Sequence, residues 1–220
     1  MQPTIVVRGE AFREVPPELA VFNVSVTSRG RDKNAVLARL TEQSAVLRAA
    51  LDAYGEAIER RETGGVQVFP DFKRSGERPV AYVGNINTTV TVTDFSALGE
   101  MLPRLAGMEQ VSIFGPWWQL RHGSKAGAEV RKAAIADALD RAREYAAAVG
   151  ARIDKLVEIA DEGAGGGAMP IARSMARDAG GASAPVLQLD PQQQTVQASV
   201  LVRVTITEPH LSAPEADKPQ

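Results

Sequence analysis

Residues 195–207 constrain this chain more than any other stretch. Val196, Ala198, Val200, Val202, Val204 and Ile206 share one parity, while Gln197, Ser199, Arg203 and Thr205 share the other. A period of two that separates apolar from polar positions specifies a strand buried on one face. The same signature recurs at 19–28, where Ala20, Phe22, Val24 and Val26 oppose Asn23, Ser25 and Thr27. Further strands are predicted at 64–70, at 80–93 (Val80, Tyr82, Ile86, Val90 and Val92 on one parity), at about 109–120 and at 152–160. The charged Asp71–Pro79 segment reads as a hairpin connection.

Helical spacing separates these strands. Asp32 is an N-cap candidate for a helix ending at Gly55, with Val36, Leu40, Leu47, Leu51 and Tyr54 along one side. Asp94 is placed to cap a shorter helix over 95–106. Ser124 precedes a long helix over 126–149, and Gly150 stands where a C-cap glycine is expected. The stripe of that helix is Ala134, Ala138, Ala142 and Ala146, small enough to let it lie close on a sheet, and Asp137 and Arg141 form a supportive i,i+4 pair. At 220 residues, the chain suits one domain or two α/β halves sharing one compact unit. We place the domain at 1–208. The Gly-, Ala- and Pro-rich stretch 161–195 reads as a long flexible insertion, and 209–220 as a disordered tail.

Composition removes several function classes. There are no cysteines and only two histidines, His122 and His210, which excludes disulfides, thiolate metal sites, cysteine nucleophiles and multi-histidine metal centres. Twenty-five basic against 27 acidic residues give a net charge of -2, too small to recruit nucleic acid through a global field. No apolar run approaches the ~18 residues of a membrane span, and the N-terminus lacks the pattern of a signal peptide. As written the chain is expected in the cytoplasm, with export to the periplasm or envelope the alternative if the N-terminus was trimmed.

Two groups of residues stand out as candidate sites. Arg121, His122, Ser124 and Lys125 cluster at the mouth of the long helix, where free N–H groups and the positive dipole end would favour an anion; the competing reading is a capped surface turn. Trp117 and Trp118 are adjacent in a strand, so they face opposite ways unless a bulge at Pro116 intervenes. Either the monomer buries both, or one serves an interface or faces a ligand. The carboxylates show no acid/base or metal spacing, His122 and Ser124 lack a glycine elbow or a paired acid, and no cofactor is implied.

The order of several segments resembles the SIMPL family, formerly a domain of unknown function. Val7-Arg8-Gly9-Glu10 followed by Pro16-Pro17-Glu18-Leu19-Ala20 is similar to the family's Gly-x-Gly and Pro-Asp-x-Ala, with Ala11 in place of the second glycine and Glu18 in place of the aspartate. Ile58–Thr63 running into Val66–Pro70, the strand Tyr82–Val92 closed by Asp94, and Ala133–Gly150 resemble its later segments. The resemblance covers about 5–207 and implies an α+β fold with helices on antiparallel sheet, self-association and no established catalytic residues. The function expected is therefore a non-enzymatic, self-associating scaffold or interaction protein, linked to envelope or stress physiology. Its partners would be itself or another protein, without nucleic acid and without an integral membrane segment. The alternative is a small-molecule or anion-binding module using the 121–125 turn and the 161–195 loop.

Overall fold

A computed structural model describes residues 2–72, 78–162 and 187–210. Its elements run β1 (Thr4–Val15), β2 (Leu19–Gly30), α1 (Lys33–Asp52), β3 (Ile58–Phe72), β4 (Pro79–Val92), α2 (Phe95–Ala106), β5 (Val111–Gln119), α3 (Ala126–Ala148), β6 (Ile153–Asp161) and β7 (Gln194–Ile206). The strands form a three-stranded sheet ordered β1-β7-β6 and a four-stranded sheet ordered β3-β4-β2-β5. Every pairing is antiparallel, so the fold is α+β as expected. The chain divides into two compact units, each holding one sheet and one buried cluster.

In the four-stranded unit, α1 lies over β2 and β4, and α2 contacts β5. Both helices start as the sequence suggests. The Asp32 carboxylate accepts from Ala35 N at 2.8 Å, and Asp94 accepts from Ser96 N at 2.9 Å and Ala97 N at 3.2 Å, satisfying amides that a helix leaves open at its start. Phe22, Val24 and Val26 of β2 and Val90 and Val92 of β4 are fully buried under the helices with Leu40, Leu51 and Leu105. Gly84 sets the approach of α1, since a Cβ there would run into Leu40 and stand 2.9 Å from Val36 Cγ1.

The three-stranded unit is built on α3, which covers β1 and β7 and scarcely reaches β6. Its buried face is Val130, Ala134, Ala138, Ala142 and Ala146, set against Val200, Val202 and Val204 of the central strand. The contact with β1 is backbone to backbone. A Cβ on Gly9 would collide with the Ala134 carbonyl oxygen and stand 2.6 Å from Ala138 Cβ. Asp137 and Arg141 form the expected pair at 3.1 Å, and the same Asp137 oxygen accepts a bond from Glu10 N at 3.0 Å. Gly150 ends the helix with φ +67°, a conformation glycine adopts without a Cβ penalty.

Several sequence expectations change. β1 is a 12-residue strand that the sequence pattern did not reveal. β3 starts at Ile58, six residues before the predicted 64. Strands β4 and β7 are both interior and offer no edge to another chain: β4 lies between β3 and β2, and β7 lies between β1 and β6. The insertion assigned to 161–195 has ordered ends. Asp161 closes β6, Glu162 pairs with Arg8 at 2.5 Å, Leu187 N donates to Gly99 O at 3.0 Å, and Gln194 opens β7. Residues 163–186 of the insertion and 211–220 of the tail lie outside the described residues.

Candidate functional site

The two tryptophans occupy opposite faces of β5. Trp117 stands opposite Val21 and Trp118 opposite Ala20, and the register slips between Val21 and Asn23. In that slip, Gly115 and Pro116 on β5 face the single residue Phe22, so the extra residue of a bulge precedes the tryptophan pair instead of splitting it. Trp118 turns to the core and meets the Phe95 ring edge-on at 4.9 Å. Trp117 turns away and meets Phe114 at 5.1 Å, also edge-on. Three residues apart, Phe114 and Trp117 would lie on opposite faces of a regular strand; the bulge brings them together. Phe114, which the sequence did not single out, is 71% exposed.

That open face continues into a polar ladder across β2 and β4. Asn85 donates to Ser25 Oγ at 2.5 Å and to Thr27 Oγ1 at 3.2 Å, and Thr89 donates to Asn23 Oδ1 at 2.9 Å. The polar parity read from 19–28 therefore satisfies itself across strands and presents an uncharged surface beside the aromatic pair.

The basic turn is differently arranged from a ready anion site. Arg121 belongs to the four-stranded unit, and His122, Ser124 and Lys125 to the three-stranded unit. The Arg121 guanidinium contacts Glu59 at 2.5 Å, and its backbone N–H donates to the Glu18 carboxylate at 2.9 Å. Glu18, the residue standing in place of the family aspartate, thus holds the end of this strand. Ser124 Oγ accepts from Ala126 N at 3.3 Å, a bond to the first turn of α3. His122 and Lys125 are exposed. Among the described residues, no group of three or more His, Asp or Glu side chains is arranged to hold a metal ion.

Two further features were not visible in the sequence. On β6, Leu156 lies opposite Val204 and Ile159 opposite Val202, so both point to the α3 side of the sheet. Because α3 stops short of β6, they remain 52% and 44% exposed. The edges themselves discourage strand addition: β6 carries two register irregularities, and β1 carries Arg8, Glu10, Arg13 and Glu14, both features that blunt sheet edges. The second feature is a groove of about 680 Å³ between α1 and the β3–β4 hairpin.

The family model described as a protein of unknown function (DUF541), SIMPL, matches residues 5–204. The chain belongs to the SIMPL family. A 26 kDa periplasmic immunogenic protein of Brucella melitensis biotype 1 is 29% identical over 187 residues, spanning 79% of this chain and 72% of that protein. The protein of the same name from Brucella abortus strain S19 shows the same identity and coverage. The family's glycine after Arg8 now has a physical reason in the α3 contact, and Ala11 is accommodated beside the same buried cluster. Among the described residues, no helix is long and apolar enough to cross a membrane.

Proposed function

We propose that this SIMPL protein is a non-catalytic, self-associating interaction protein of the cell envelope. The observation that carries the reading is the lane on β6, where Leu156 and Ile159 sit on the helix side of the sheet and, among the described residues, have no helix above them. Side chains of that size gain ~1.5–3 kcal/mol each when fully buried, and a second copy burying the same lane is the symmetric default. Association would proceed through this apolar face and not through strand addition at an edge. The exposed Phe114, packed edge-on against the half-buried Trp117, is a second surface of the same kind.

The envelope assignment replaces the cytoplasmic expectation, which the comparisons do not support; it rests on the periplasmic name of the Brucella relatives. The anion-binding alternative loses part of its appeal because Arg121 is committed to Glu59. Fractionation combined with cross-linking tests the proposal. Copies carrying two different epitope tags, coexpressed in the native organism, should be recovered with the envelope and should cross-link to each other through Lys155. Recovery in the cytosol, or cross-links confined to single chains, would refute it.

A further inference from the structure

We propose that the groove between α1 and β3 binds a free long-chain carboxylate, its alkyl chain along the floor and its head at Arg48 and Arg61. At about 680 Å³, the groove falls within the ~300–1,000 Å³ typical of small-molecule sites. It arises because α1 rests on β2 and β4 and only grazes β3, leaving a lane between one helix and one strand.

The chemistry changes along that lane. Leu47, Leu51 and Ile86 form the floor, and Val66 stands on the β3 side. The groove-lining positions from Thr41 to Asp52 extend over ~16 Å of helix at 1.5 Å per residue, long enough for one extended alkyl chain. Charge is confined to one end. There Arg61 contacts Asp52 at 2.6 Å and donates to the Arg48 carbonyl oxygen at 3.4 Å. Among the described residues, the Arg48 guanidinium has no carboxylate partner. Two guanidinium groups against one carboxylate leave a net positive charge beside an apolar floor. The complement is a ligand with one anionic head and one apolar tail, because guanidinium recognises carboxylate with charge-assisted hydrogen bonds. The C-terminal dipole of α1 and Asp52 oppose an anion there, so the head depends on both arginines.

Calorimetric titration of the full chain with monomeric laurate, octanoate and dodecanol tests the assignment. Laurate should bind at one per chain. Full burial is worth about fourfold in affinity per methylene; in a half-open groove the four methylenes lost in octanoate should cost at least about tenfold. Dodecanol, lacking the charge, should bind about tenfold more weakly than laurate. Arg48→Gln should bring laurate to the dodecanol level, and Ala45→Trp, which fills the lane from an exposed helix position, should abolish binding. Circular dichroism establishes that both variants are folded, and Ala49→Trp supplies a second plug if Ala45→Trp is not. Equal laurate affinity in wild type and in the folded variants, dodecanol binding as tightly as laurate, or binding to phospholipid vesicles without saturable laurate binding would overturn the proposal. Its failure would leave the self-association reading untouched, since that rests on β6.

Discussion

Gly9→Ala is the smallest change that probes how the three-stranded unit is held together. A methyl group at this position meets the Ala134 carbonyl oxygen and the Ala138 backbone nitrogen, at 2.5 Å from the latter. Neither obstacle is the end of a flexible side chain, so relief requires α3 to move off β1. Overpacking of this kind costs ~1–3 kcal/mol and occasionally more, and the rigidity of the obstacles places this case at ~3 kcal/mol. Replacing glycine also restricts the unfolded chain, which returns ~0.4–1 kcal/mol, leaving a net loss of about 2–3 kcal/mol. Against a total stability of ~5–15 kcal/mol that is a large fraction, and at ~2–4 °C per kcal/mol it lowers Tm by about 5–10 °C. Gly65→Ala is the control, because a Cβ there has nothing within 4 Å. Urea unfolding followed by circular dichroism gives the two stabilities, and hydrogen exchange across 130–146 locates the loosening in α3. Equal stability of the two variants would refute the backbone-contact account of β1 and α3.

Other substitutions test separate parts of the structure. Val202→Asp places an unpartnered charge at a fully buried position of the central strand β7 and should cost several kcal/mol in denaturant unfolding. Arg203→Asp, which replaces an exposed pair with Glu158 at 3.2 Å by two like charges in a solvated position, should cost about 1 kcal/mol. Equal damage from both would mean β7 is buried on both faces. Asp94→Ala removes two capping bonds from α2 and should lower stability by ~1 kcal/mol, with Asp94→Asn largely restoring it; no loss in the alanine variant would show the cap to be idle. Trp118→Glu should destabilise the fold by burying charge beside Phe95, whereas Trp117→Glu should leave circular dichroism unchanged and reduce the mass seen in light scattering. The opposite ranking would reverse the face assignment of β5.

Local features were legible where the residues that create them also advertise them. Asp32 and Asp94 cap the helices they precede, Gly150 terminates α3, and the alternating valines of β7 face the core. The strand β1 was hidden by its own packing. The close approach of α3 demands glycine at position 9 and tolerates alanine at 11, so the inner parity loses its hydrophobic signal, while Arg8, Glu10, Arg13 and Glu14 make the segment look like surface. The start of β3 was masked in the same way by Glu59, Arg60, Arg61 and Glu62 on an edge. Strand order was not legible, because pairing β7 between β1 and β6 joins residues nearly 200 positions apart. The exposed surfaces inherit that difficulty. Leu156 and Ile159 look like core residues until the reach of α3 is known, and the α1–β3 groove exists only because α1 sits over β2 and β4. Trp117 was singled out from sequence, yet its partner Phe114 required the Gly115–Pro116 bulge to be placed.

The most direct test of self-association is the solution mass of the purified chain. Light scattering across a wide micromolar range should give a multiple of 23.5 kDa that falls on dilution. Ile159→Lys puts a charge on the uncovered β6 lane and should move the mass toward monomer at unchanged circular dichroism. A wild-type chain that stays monomeric throughout, or a folded Ile159→Lys variant with undiminished mass, would contradict the account.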